Sequence, residues 1–254
     1  DIPLHSTPES DFTFWQFIRR YRESNFVKYL IYVSAIMFSA HLAAPFFSVY
    51  MIRDLKFSYL SYMIVHFSGV MAGLLAFPIW GKHADLLGNA RILKTTSLLV
   101  PLVPVLWFLF SKYFVPLILL EFFAGFVWGG FNLCAINFIY DVVAPQKRVR
   151  CLSYFNLING ISIFVGTALG GYLADRLPTF FGSPLLILFL LSALFRLCAH
   201  LFLSRRFHEV RTTVRSISMA VSRASLLLSV IGIRPLSGLS RSWRIPSDVE
   251  KRME

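Results

Sequence analysis

Five polar side chains stand inside long apolar stretches of this chain, and their types define the chemistry open to it. Glu121 lies in "PLILLEFFAGF", His41 in "MFSAHLAAP" and His66 in "YMIVHFSGV", while Asn132 and Asn159 occupy similar surroundings. A carboxyl among apolar residues can carry a proton or hold a cationic group. An imidazole, whose ordinary pKa is close to neutrality, can shuttle protons. Carboxamides donate and accept hydrogen bonds and can recognise a solute. Each group also has a plainer reading. Glu121 could close a salt bridge or lie near an aqueous interface, and the histidines and asparagines could bond neighbouring helices, as could Asn137 and Asn156. Arg196 and His200, in the last apolar stretch, read as structural, with Arg196 able to extend its head group toward water.

A second set is charged and punctuated by glycine. "WGKHADLLGNAR" (Trp80–Arg91) sits between two apolar runs and places Gly81, Asp85, Gly88 and Arg91 as G-x-x-x-D-x-x-G-x-x-R. Glycine permits a tight turn, a carboxylate can meet the unpaired N–H groups of a helix start, and bases can hold acidic partners. That combination suits contacts made in one conformation and broken in another. A later polar stretch, "YDVVAPQKRVR", carries Asp141, Pro145, Arg148 and Arg150. The pattern G-x-x-A-D-x-L occurs twice, at Gly81–Leu87 and Gly171–Leu177. Enzyme signatures are absent from the sequence: there is no G-x-x-x-x-G-K-[ST], no H-E-x-x-H and no G-x-S-x-G. The expectation is therefore no enzyme, no ATP drive, no metal and no cofactor. Cys134, Cys151 and Cys198 lack paired spacing and read as buried thiols.

These residues need elements to position them, and composition says which kind. Of 254 residues 56% are hydrophobic, 26 are Phe and 15% are charged; soluble domains carry roughly 25% charge. The formal charge of +12 does not point to nucleic acid, because the bases lie between and after apolar runs. A helix crosses about 30 Å of hydrocarbon with about 20 apolar residues. Six runs qualify: 27–51, 57–80, 92–110, 114–142, 152–173 and 184–203. Lipid offers backbone groups no partner, so each run must be helical. Six crossings leave both ends on one side. That side carries Arg19, Arg20, Arg22, Lys28, Lys82, Arg91, Lys94, Lys147, Arg148 and Arg150, against Arg53, Lys56, Lys112 and Arg176 on the other. The excess of bases predicts cytoplasmic termini in a plasma membrane or bacterial inner membrane.

The expected organisation is a cytoplasmic linker with an amphipathic helix over 1–26, a six-span membrane domain over 27–204 and a basic cytoplasmic tail over 205–254. The linker helix follows from Phe14, Phe17, Ile18 and Tyr21 beside Arg19, Arg20 and Arg22. The tail reads either as an interfacial helix attracted to anionic lipid by Arg211, Arg215 and Arg223, or as a Ser/Arg-rich coil. Pro45, Pro78, Pro101 and Pro104 are expected to kink spans or mark their ends. Gly125, Gly129, Gly130, Gly166, Gly170 and Gly171 are expected to let helices approach closely. Trp15, Trp80 and Trp107 are expected in the interfacial aromatic belt.

The glycine–aspartate–arginine stretch, between the second and third spans, resembles the signature loop of the major facilitator superfamily of secondary transporters. The Asp141–Arg150 stretch is similar to the loop that the family places between the fourth and fifth spans of a half. Asn89 stands where the family usually has a base, which weakens a charge relay through the first loop. The resemblance covers nearly all of residues 12–204. It implies an all-α membrane fold of six helices arranged as a three-plus-three inverted repeat, half of the family's twelve-span architecture. The charged N-terminal stretch resembles the loop joining the halves, which implies a C-terminal half. A small-molecule substrate, with protons as a candidate coupling ion, would then bind between this half and a missing N-terminal half or a second copy. Asp85 would cap a helix of the absent half. The alternatives are a half-size homodimeric transporter and a non-transporting six-span interaction or sensor protein.

Overall fold

A computed structural model of the chain describes residues 24–179 and 183–210. Every regular element among them is helical, and six helices are long and apolar enough to cross a membrane. The spans run Asn25–Asp54, Tyr59–Leu87, Asn89–Phe110, Phe114–Val142, Pro145–Arg176 and Pro184–Leu203. The amphipathic helices expected near residues 12–22 and 217–231 lie outside the described residues.

Local chemistry explains the starts. The Ser24 hydroxyl accepts the Val27 N–H at 3.4 Å, Ser58 accepts Ser61 N–H at 3.2 Å, and Ser183 accepts Leu185 N–H at 3.2 Å. Each serine supplies an acceptor to a helix start that has none of its own. Pro184 opens the sixth span, where a missing N–H does no harm.

Two spans are broken. The first is interrupted at Leu42–Ala43, just before Pro45, and ends in a wider turn at Tyr50–Asp54 where Leu55 N–H reaches back five residues to Tyr50 O. The third is interrupted at Val100–Pro101. Pro104 cannot donate to the Val100 carbonyl four residues earlier, so that carbonyl accepts instead from the Val103 N–H, at 3.3 Å. Pro78, by contrast, lies within an unbroken second span.

The second span corrects the sequence reading. Apolar length ends it at Trp80 and leaves Gly81 and Asp85 in a loop; in the structure the helix continues to Leu87 and the third span starts at Asn89. Apolar counting ends a span where polarity begins, yet a helix can run on into water. The break falls on Gly88 alone, whose φ of +92° an L side chain rarely adopts.

Short connectors make the spans alternate in direction. Asn25, Asn89, Asp141 and His208 meet at one end, here called the basic end, and Asp54 meets Ser183 at the other. The second span packs on the fourth and the first on the fifth; the third packs on the fourth and the first on the sixth. Exchanging spans one, two and three for four, five and six maps this set of packed pairs onto itself. Partners in that exchange run in opposite directions, which is the inverted repeat. The repeated G-x-x-A-D-x-L closes the second span at the basic end and the fifth at the opposite end.

Glycines set the closest approaches. A Cβ on Gly125 would strike the Gly69 carbonyl, and one on Gly170 the Leu42 carbonyl, so backbones of the paired spans touch. Gly160 faces open space. Gly125→Ala is expected to lower the thermal midpoint of the detergent-purified protein by several degrees. Gly160→Ala, which gains helix propensity of up to about 1 kcal/mol, is expected to leave it level or raised.

Candidate functional site

A cavity of about 650 Å³ opens among the spans. Four of the five polar residues singled out above line it: His41 on the first span, His66 on the second, and Glu121 and Asn132 on the fourth. Most of the remaining wall is apolar, including Phe47, Phe77 and Trp128.

Glu121 is held from the third span. The Trp107 indole N–H donates to its Oε1 at 3.1 Å. Its Oε2 lies over Gly69, where an added Cβ would come within 3.1 Å. A buried indole needs an acceptor, and this carboxyl is it. Trp107 is thus fully buried rather than part of an interfacial belt. A residue count along one span cannot tell its lipid face from its protein face.

His41 sits at the break in the first span, and its Nδ1 lies 2.9 Å from Met37 O. A carbonyl only accepts, so Nδ1 carries the proton and Nε2 is the nitrogen outside this bond. His66 stacks on Tyr62, with ring centroids 5.8 Å apart and planes within 11°. Asn132 is exposed to the cavity and makes no hydrogen bond among the described residues. Asn159 is placed elsewhere: it is buried, and its Oδ1 accepts from Ser34 Oγ at 3.0 Å, joining the first and fifth spans.

Arg196, which the sequence left as structural, lies at the back of this cavity. Its Nε donates to Ser192 Oγ at 3.1 Å, Nη1 to Val100 O at 3.2 Å and Nη2 to Ala40 O at 3.3 Å. Ser192 Oγ in turn donates to Ser39 O at 2.6 Å. Ala40 and Val100 precede the two span breaks, so the guanidinium supplies donors where regular helix hydrogen bonding stops. One turn further along the sixth span, His200 Nδ1 lies 2.9 Å from Ser97 Oγ and 3.2 Å from the Tyr32 hydroxyl, which also bonds Ser97. This buried knot ties the first, third and sixth spans.

The charged connectors meet at the basic end. Asn89 Nδ2 donates to Asp141 Oδ2 at 2.6 Å, so the two loop motifs touch through the residue that departs from the family pattern. Asn89 Oδ1 is buried without a partner among the described residues. Arg148 donates to Val143 O at 3.2 Å and Tyr140 O at 3.0 Å, closing the C-terminal end of the fourth span. Glu209, after the sixth span, accepts the Ala90 N–H at 2.8 Å and so caps the third span; its carboxyl fills the space a side chain at Gly88 would need. Lys94 Nζ donates to Phe207 O at 2.7 Å, and Phe207 is fully buried against Tyr29, Tyr32 and Phe138. Phe207 and Glu209 thus pack with the spans. Sequence reasoning missed Phe207 and Glu209; the available signal was an acid and a large aromatic within a run of arginines. Asp85 and Arg91 are exposed on the outside of this end.

If Arg196 reinforces the short-turn backbone bonding at the two breaks, restoring a regular backbone donor offsets part of its loss. Arg196→Met is expected to lower stability by about 1–3 kcal/mol for each charged hydrogen bond lost. Pro104→Ala, which returns an N–H to Val100 O, is expected to recover part of that in the double variant while changing little alone. Additive effects in thermal unfolding of the four proteins would contradict the assignment.

The family model of the Major Facilitator Superfamily matches residues 29–244. No curated protein matches the chain. The match takes in all six spans and both connectors at the basic end, and the packing repeats by inversion. The chain therefore belongs to the major facilitator superfamily, as an integral membrane protein of a transporter family.

Proposed function

We propose that this chain is one six-span half of a secondary transporter, that the cavity is its solute site, and that Glu121 takes up and releases protons as the solute exchanges. The observation that carries the reading is the gathering of one carboxyl, two imidazoles and an amide from three spans around one cavity. Ionisable groups at membrane depth are costly to keep and are found where solutes or protons pass. Trp107 orients the carboxyl without neutralising it, leaving Oε2 for a proton or a solute.

The basic end faces the cytoplasm on the excess of lysine and arginine there. A second six-span unit, the N-terminal half or another copy, completes the far wall of the cavity. The second and fifth spans suit that contact, being the least buried of the six at 22% and 17%. In this reading Asp85 and Arg91, exposed at the basic end, meet a helix end of that unit and part from it when the halves rock.

Alternating access is tested by thiol labelling. With Cys134, Cys151 and Cys198 replaced by serine, Asn132→Cys is expected to react with a membrane-impermeant thiol reagent both in intact cells and in inside-out vesicles. Glu121→Gln is expected to remove the pH dependence of the balance between the two labelling rates. Labelling from one side only, under every condition, would refute the transport reading.

A further inference from the structure

Resting on the reading of the cavity as a solute site, we infer that its solute is a lipophilic cation, a compact apolar body bearing one positive charge. Among the described residues, Glu121 is the one carboxylate lining the cavity. One of its oxygens is engaged by Trp107, and the other lies over Gly69, where the second span has no side chain to cover it. The lining base, Arg196, is 2% exposed, and its bonds run to Ser192, Val100 and Ala40. It contributes charge but turns its donors away, so an anionic solute meets no guanidinium fork. Phe47, Phe77 and Trp128 offer aromatic surface, which attracts cations at its faces and accepts an apolar body. A volume of about 650 Å³ suits a drug-sized organic molecule.

Counting charge adds a mechanism. With Glu121 ionised, its charge balances that of Arg196. A proton on Glu121 or a cation beside it leaves the same total, so proton and solute compete for one carboxylate. The titratable and charged groups facing it are His41 from the first span, His66 from the second and Arg196 from the sixth; the third and fifth spans contribute Val103 and Ile163 to the lining. Protonating Glu121 removes the attracting charge, and protonating either imidazole adds a repelling one.

Tetraphenylphosphonium and tetraphenylborate, closely matched in size and opposite in charge, test the inference by equilibrium dialysis against the detergent-purified chain. The cation is expected to bind saturably and about tenfold or more tightly than the anion. Its affinity is expected to fall about tenfold or more in Glu121→Gln. Gel filtration checks that the variant folds, and the comparison of the two ions needs no variant. Tighter binding of the borate, or cation binding unchanged by Glu121→Gln, would overturn the inference. So would binding of neither ion while Asn132→Cys still reacts from water. If the thiol of Asn132→Cys is instead sealed from water on both sides, the solute-site reading beneath the inference is overturned.

Discussion

A helix that breaks inside hydrocarbon weakens the bonding of carbonyls that water cannot reach, and in this protein a single guanidinium serves two such breaks. Arg196 reaches Ala40 at the break in the first span and Val100 at the break in the third. Each carbonyl keeps one backbone donor three residues on, Ala43 N–H for Ala40 and Val103 N–H for Val100, and the guanidinium adds a second at a depth where weak bonding is costly. With it, both spans can bend. The bend in the first span carries His41, and the third span continues past its break to Trp107, which holds Glu121. The geometry of the cavity thus depends on a residue that turns none of its donors toward it.

Around this anchor the six spans divide their work. The second and fourth, and the first and fifth, approach at glycine, so backbone contact rather than side-chain volume sets their spacing. The third and sixth lie against one another and are stitched to the first by Ser192, Arg196 and the Tyr32–Ser97–His200 knot. At the basic end Glu209, Lys94, Asn89 and Asp141 join the third, fourth and sixth spans. Closely packed backbones at one level and hydrogen bonds at another make the set suited to move as one body.

Much of this is legible in the residues. Unbroken apolar length announces the six spans, because hydrocarbon thickness and helical rise leave little freedom in how a chain can cross. The repeated G-x-x-A-D-x-L points to the inverted repeat, and four of the five polar residues singled out from the sequence line one cavity. The errors have a common physical origin. Gly81 and Asp85 read as loop when polarity is taken to end a helix, whereas only the backbone geometry at Gly88 does so. Trp107 reads as interfacial, and Asn159 ranks with the solute contacts, because a one-dimensional pattern does not say which neighbour a face meets.

By itself, the sequence determined the number of spans, their alternating direction, the family and the kinds of group set within the membrane, since these follow from local apolar length, charge bias and spacing. Only the tertiary structure decided which of those groups share a cavity. It made Trp107 the partner of Glu121 and Ser34 the partner of Asn159, set the structural Arg196 at the breaks of two helices, and brought Glu209 back to cap the third span. The physical reason is that a hydrogen bond between residues distant along the chain leaves no periodic trace in it; it exists once packing has brought donor and acceptor within about 3 Å of each other.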